Sequence, residues 1–135
     1  MGHGIPGGPL VGVHVLVIDD SEDSRDLFVS VLQYAGALVS VAESADQALR
    51  VLDRVLPDVV VTDIAMPGHD GYWLIAQLRK RDARTGNGVP VVAVTAHAER
   101  HPSQFASAGF RGHLRKPVDP DELCRLIEGL VRRRA

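Results

Sequence analysis

The sequence has little cysteine and no long apolar run, and both absences narrow the protein class. The single cysteine, Cys124, excludes an internal disulfide and a cysteine-rich zinc site, in agreement with a reducing compartment. No stretch approaches the roughly 20 apolar residues of a membrane-spanning helix. The N-terminus also lacks the charged and apolar regions of a signal peptide. We therefore expect a cytoplasmic protein that does not bind a membrane.

An excess of charge of one sign is also missing, since 15 Lys and Arg face 17 Asp and Glu, for a net charge of −2. A nucleic-acid binder usually carries a strong basic excess, so we expect no direct nucleic-acid binding. The hydrophobic fraction of 45% and the length of 135 residues fit one globular domain. Gly and Pro are frequent at the start of the chain, which predicts a flexible N-terminal arm over 1–11. Whether this arm derives from an expression vector is left open. The domain is then expected over 12–135.

Short apolar runs rich in β-branched residues predict five strands. Three of them, at 13–18, 59–61 and 91–94, are typical of strands covered on both faces, and shorter candidates lie at 38–41 and 112–114.

Apolar residues at helical spacing separate these strands. They predict four helices, at 27–35, 45–56, 74–78 and 119–130. A further helix within 98–108 is less clear because Pro102 restricts where it can begin. Five strands alternating with five helices imply an α/β fold, with a doubly wound five-stranded parallel sheet covered by helices on both faces.

Polar side chains follow four of the predicted strands, at the edge where ligands bind in such sheets. The first strand ends in Asp19 and Asp20, and the third ends in Asp63. The fourth ends in Thr95, and the fifth leads to Lys116. Each residue alone has an ordinary explanation as a helix cap, a strand end or a surface residue. Together they would bring three carboxylates, a hydroxyl and an ammonium to one place.

Such a cluster predicts Mg²⁺ binding and phosphoryl transfer to an aspartate. Crowded carboxylates repel one another unless a cation joins them, and ligand sets of oxygen alone favour Mg²⁺. Asp19 and Asp20 would anchor the ion and leave Asp63 partly free to attack a phosphoryl group. The ion and Lys116 would offset the charge of the phosphoryl oxygens, and the Thr95 hydroxyl would hydrogen-bond one of them.

Four motifs resemble the receiver domain of bacterial two-component response regulators, over essentially all of Val13–Val131. They are Val-Ile-Asp-Asp (17–20), Val-Thr-Asp-Ile-Ala-Met-Pro-Gly-His-Asp-Gly (61–71), Val-Thr-Ala (94–96) and Leu-Arg-Lys-Pro-Val (114–118). The resemblance implies the (βα)5 flavodoxin-like fold of CheY-like proteins, with strand order 2-1-3-4-5. Some segments look most like receivers attached to hybrid histidine kinases.

The resemblance also implies a role for each residue of the cluster. Asp63 would be the phospho-acceptor, and Asp19 and Asp20 the acidic pair that holds Mg²⁺ together with the backbone carbonyl of Ala65. Lys116 would contact the phosphoryl group, next to a cis bond to the following proline.

The same resemblance implies a switch. A histidine kinase or phosphotransfer protein would donate the phosphoryl group from a phosphohistidine. Thr95 would then move toward it, and His113, where Tyr or Phe is commoner, would rotate inward. A partner-binding surface around the fourth helix and fifth strand would change. The sequence does not identify the downstream partner. It also leaves open whether the chain is a stand-alone receiver or a piece of a larger regulator or hybrid kinase. We expect a monomer or weak dimer.

Two other classes explain the residues less well. A phosphatase of the haloacid-dehalogenase type would end its first strand in Asp-x-Asp, whereas Asp19 and Asp20 are adjacent. A pseudo-receiver would lack Asp63 or Lys116, and both are present. We therefore expect a signalling switch that catalyses only its own phosphorylation and dephosphorylation. Two smaller hypotheses are that His97 orients the water for dephosphorylation, and that His97 and His101 chelate a transition metal at helical spacing.

Overall fold

The computed structural model describes residues 8–86, 88–96 and 102–134, in which strands and helices alternate strictly. The strands are β1 (His14–Ile18), β2 (Leu38–Ala42), β3 (Val59–Asp63), β4 (Val91–Thr95) and β5 (Gly112–Arg115). The helices are α1 (Glu22–Tyr34), α2 (Ala45–Leu52), α3 (Gly71–Thr85), α4 (Pro102–Ala108) and α5 (Pro120–Arg134). Across these ranges, no helix has both the length and the apolar character that crossing a bilayer requires.

The five strands form one parallel sheet in the order β2-β1-β3-β4-β5, which confirms the expected fold and strand order. The order reverses at β1, which pairs with β2 on one side and with β3 on the other. Crevices beyond the carboxyl ends of the strands form at such a reversal. The ends of β1 and β3 therefore lie side by side, where a site is expected.

Each face of the sheet has its own apolar core. Alternate residues of β1 point to opposite faces, so Val15 and Val17 pack with α1 and α5, while Leu16 and Ile18 pack with α2, α3 and α4. This double cover explains why the central strands are apolar at almost every position. At the carboxyl edge of the sheet, Asp63 ends β3 and Thr95 ends β4, while Thr62 is fully buried one position before the end of β3.

Three local features differ from the sequence-based expectations. The second helix ends at Leu52, short of residue 56, and Leu56 is 67% exposed; it precedes Pro57, which disfavours helical backbone in the residue before it. Leu27 of α1, expected on the apolar stripe, is 66% exposed. Leu10, expected in the flexible arm, is fully buried, and its N–H donates to the Ala35 carbonyl at 2.9 Å.

The Cys124 thiol of α5 gives a first testable prediction. Burial raises its pKa, and the nearby charges of Asp121 and Glu128 raise it further. Because the thiolate is the reactive species, we expect slow alkylation by iodoacetamide at neutral pH and an increasing rate between about pH 8 and 10. Mass spectrometry over time, with the urea-unfolded chain as control, measures this. Equal rates for the folded and unfolded chains at pH 8 would contradict the prediction.

Candidate metal and phosphoryl site

Three carboxylates meet at the carboxyl edge of the sheet. Asp19 and Asp20 directly follow β1, and Asp63 ends the neighbouring β3, so that one oxygen from each lies within 4.8 Å of the others. Asp19 is 1% exposed, Asp63 is half-buried and Asp20 is exposed. The donors are all oxygens, and hard cations such as Mg²⁺ prefer such a set. The residues therefore fit a Mg²⁺ ion, with Asp20 on the solvent side.

Lys116 provides the positive charge of this cluster. Its Nζ lies 3.0 Å from Asp19 Oδ2 and 3.4 Å from Asp63 Oδ2. The backbone N–H of Lys116 donates to the Thr95 carbonyl at 2.8 Å, and the Lys116–Pro117 peptide bond is cis, as the resemblance implied. Within the part of the chain that the structure describes, this ammonium faces three carboxylates, and a divalent cation would offset the remaining negative charge.

The electrostatics of the protein groups in the site reflect this excess. Burial raises the pKa of Asp63; Lys116 counteracts part of this effect, and the charges of Asp19 and Asp20 add to it. Burial alone would lower the pKa of Lys116, but its hydrogen bond to Asp19 and the charges of Asp63 and Asp19 raise the pKa overall. The ammonium is thus held firmly, while the charge on Asp63 is costly to maintain without a further cation.

Two residues of α1 donate hydrogen bonds to Asp19, and neither contact was predicted from the sequence. The Ser24 hydroxyl donates to Asp19 Oδ2 at 2.7 Å, and an Arg25 guanidinium N–H donates to the Asp19 carbonyl at 2.8 Å. The Ser21 N–H donates to Asp19 Oδ1 at 3.0 Å. The available signal was the Ser21 cap, since a helix that begins right after Asp20 places its first turn beside the acidic pair.

The loop between β3 and α3 contains Ala65, two residues beyond Asp63, as an exposed residue. Gly71 closes this loop, since its N–H donates to the Ile64 carbonyl at 2.8 Å. A Cβ at Gly71 would lie 2.9 Å from the Asp63 carbonyl oxygen, which is too close for any side chain. Glycine at this position therefore lets α3 begin directly against the end of β3.

Thr95 and His113 lie in different surroundings. Thr95 ends β4 as a buried residue, next to Lys116 through the backbone hydrogen bond. His113 is exposed on β5, and its ring stacks on Phe105 of α4 with ring centroids 4.9 Å apart. The structure thus places His113 against α4. His97 and His101 lie outside the described residues.

Comparison with known proteins identifies the family. Residues 15–128 match the model of the response regulator receiver domain, and the chain belongs to this family of two-component signalling domains. Over 120 residues it is 44% identical to an uncharacterized 14.6 kDa protein of Leptolyngbya boryana, a match that covers 88% of this chain and 90% of the relative.

Two further relatives extend the comparison. Protein PetR of Rhodobacter capsulatus is 36% identical over 121 residues, a match that covers 89% of this chain and 49% of PetR, so this chain spans about half its length. The receiver domain of the sensor histidine kinase PA1611 of Pseudomonas aeruginosa was solved with a magnesium ion in its active-site cleft. It superimposes with a TM-score of 0.79 at 26% identity, over 89% of this chain and 98% of that domain.

Proposed function

We propose that this receiver is a phosphorylatable switch, in which Asp63 accepts a phosphoryl group from the phosphohistidine of a histidine kinase or phosphotransfer protein. The observation that carries the proposal is the position of Lys116 Nζ, which contacts both Asp19 and Asp63 at an edge where three carboxylates lie within 4.8 Å. A site for a purely structural ion pair would not need the two additional carboxylates.

Mg²⁺ is the cofactor of this proposal. The carboxylates of Asp19, Asp20 and Asp63 would hold the ion together with the backbone carbonyl of Ala65. When bound, it would offset the repulsion among the carboxylates and the charge of the phosphoryl oxygens. The oxygen-only donor set supports this choice, as does the magnesium ion in the cleft of the PA1611 receiver.

The transfer itself needs few protein groups. An oxygen of Asp63 forms a bond to phosphorus, while the bond from phosphorus to the donor's imidazole nitrogen breaks and the imidazole leaves with the electron pair. The Lys116 ammonium and the Thr95 hydroxyl bind the oxygens of the transferred group. Hydrolysis of the aspartyl phosphate resets the site, so the chain catalyses only its own phosphorylation and dephosphorylation.

In this proposal, phosphorylation changes the surface formed by α4 and β5. Thr95 moves toward the phosphoryl group, and His113 responds as the second switch residue. The stack of His113 on Phe105 supports this pairing, because it joins β5 to α4 directly. The receiver would act in the cytoplasm as a monomer or weak dimer, on its own or within a larger regulator or hybrid kinase.

Intact mass spectrometry with acetyl phosphate tests the function. We expect one phosphoryl adduct on the wild-type chain that requires Mg²⁺, and none on Asp63→Asn. Asp26→Asn is the matched control, since Asp26 is an exposed carboxylate of α1.

The adduct should persist in the Asp26→Asn control. If the adduct also persisted in Asp63→Asn, a residue other than Asp63 would be the phospho-acceptor. A wild-type chain that binds Mg²⁺ but takes no phosphoryl group from acetyl phosphate or a phosphohistidine donor would favour the pseudo-receiver class, and steady turnover of a phosphate ester would favour an enzyme.

A further inference from the structure

We propose that Ser24 is a positioning residue for phosphoryl transfer, whose hydroxyl allows Lys116 to leave Asp19 and turn to the phosphoryl group. This inference rests on the proposed function and concerns a residue outside the set that would bind the phosphoryl group or Mg²⁺. It starts from one oxygen atom, Asp19 Oδ2, which two donors share.

Asp19 Oδ2 accepts hydrogen bonds from Ser24 Oγ at 2.7 Å and from Lys116 Nζ at 3.0 Å. Lys116 lies farther from the phospho-acceptor, with its Nζ 3.4 Å from Asp63 Oδ2. Lys116 is therefore bound more closely to Asp19 than to the residue it would serve. To reach the oxygens of a phosphoryl group on Asp63, the ammonium has to give up part of its contact with Asp19.

Giving up this contact would be costly if Lys116 were the only side-chain donor to Asp19 Oδ2. Asp19 is 1% exposed, so water cannot readily replace a lost donor. An oxygen of a buried carboxylate that loses its side-chain donor costs more free energy than a normal hydrogen bond contributes, even though the Ser21 N–H still binds the other oxygen. The Ser24 hydroxyl stays on the same oxygen when Lys116 moves, and so reduces the cost of that movement.

The backbone holds Ser24 in this position. Its N–H donates to the Ser21 side chain at 3.3 Å in the first turn of α1, and the Ser21 N–H binds the other carboxylate oxygen of Asp19. The first turn of α1 thus places Ser24 next to Asp19, within hydrogen-bond distance of its Oδ2. A hydroxyl is uncharged, so it can serve as donor without adding a competing cation.

Selective acylation of lysine tests the first part of the proposal in the metal-free protein. Lys80 and Lys116 are the two lysines of the chain, and the exposed Lys80 is an internal reference. Within the part of the chain that the structure describes, Lys116 is the remaining side-chain donor to Asp19 Oδ2 once the Ser24 hydroxyl is removed, and it is then held more tightly. In Ser24→Ala we expect labelling of Lys116 by an acetyl ester, relative to Lys80, to slow about threefold to tenfold, the usual net contribution of one hydrogen bond.

Transfer kinetics test the second part. With acetyl phosphate and saturating Mg²⁺, the maximal phosphorylation rate of Ser24→Ala should fall by about threefold to tenfold, while its Mg²⁺ affinity is not weakened. Ser24→Thr keeps the hydroxyl and should restore both the rate and the Lys116 labelling. Ser30→Ala removes an exposed hydroxyl from the same helix and should behave as wild type.

The outcomes separate this inference from the proposed function. Unchanged Lys116 labelling or an unchanged transfer rate in Ser24→Ala would overturn the role of Ser24. A loss of Mg²⁺ affinity equal to the loss of rate would overturn it too, since Ser24 would then act through the metal. If the wild-type chain takes no phosphoryl group at all, the proposed function fails, and the role of Ser24 in the transfer rate fails with it. This holds even if the labelling difference shows that Ser24 and Lys116 compete for Asp19 Oδ2.

Discussion

Lys116→Met is expected to lower the rate of Asp63 phosphorylation by about a hundredfold or more, the effect of removing one electrostatic group from a transfer site. The ammonium would bind the phosphoryl oxygens, and methionine has similar length but no charge. The same substitution should destabilise the metal-free fold by about 2 kcal/mol. This is less than the cost of breaking a fully buried pair, because the Lys116 side chain is 25% exposed.

Urea unfolding and phosphorylation time courses measure the two effects on the same samples. Lys80→Met is the matched control, since it removes the other lysine from an exposed position on α3. Mg²⁺ should recover part of the stability of Lys116→Met but not its phosphorylation rate. A Lys116→Met chain that is phosphorylated as fast as wild type would exclude the proposed role of the ammonium.

Asp63→Asn removes a carboxylate charge and is expected to stabilise the metal-free protein by about 1 kcal/mol at neutral pH. This value is at the upper end of the range measured for interactions between charges that solvent can reach. The gain depends on pH. Because the folded-state pKa of Asp63 lies above its ordinary value, the folded chain binds more protons than the unfolded chain between the two pKa values. Wild-type stability therefore falls as pH rises through this window, whereas the asparagine side chain of the variant does not titrate there.

Mg²⁺ should reverse the order of the two proteins. An ion at a hundred times its dissociation constant stabilises the folded wild type by about 2.7 kcal/mol, and Asp63→Asn lacks one of the proposed ligands. Thermal unfolding from about pH 4 to 8, with and without Mg²⁺, measures both effects. If wild type were the more stable protein without Mg²⁺ across this range, the contact with Lys116 would outweigh the burial and repulsion at Asp63.

Much of the fold was predictable because its cause is local. The near-continuous apolar run of β1 follows from cover on both faces, and Pro120 marks the start of α5. The convergence of Asp19 and Asp63 was predictable for a geometric reason, since the carboxyl ends of neighbouring parallel strands meet at one edge. The end of α2 was predicted four residues too late because the apolar spacing continued into the loop before Pro57.

The environment of each site residue was not predictable in the same way. The bonds of Ser24 and Arg25 to Asp19 depend on the direction in which α1 leaves β1, and no apolar pattern encodes that direction. The stack of His113 on Phe105 depends on how α4 packs against β5. The roles of the site residues in metal binding, phosphorylation and switching remain predictions that the experiments above address.

The distance along the chain between Lys116 and Asp19 has a consequence for how the protein is made. The two residues are 97 positions apart, and Lys116 follows the last strand of the sheet. Domains are synthesised from the N-terminus, so a nascent chain exposes its acidic pair and Asp63 well before their ammonium partner leaves the ribosome. Where β1 and β3 pair before β5 has been synthesised, the three carboxylates lie together without the Lys116 ammonium, and a cation from the surroundings would offset their repulsion.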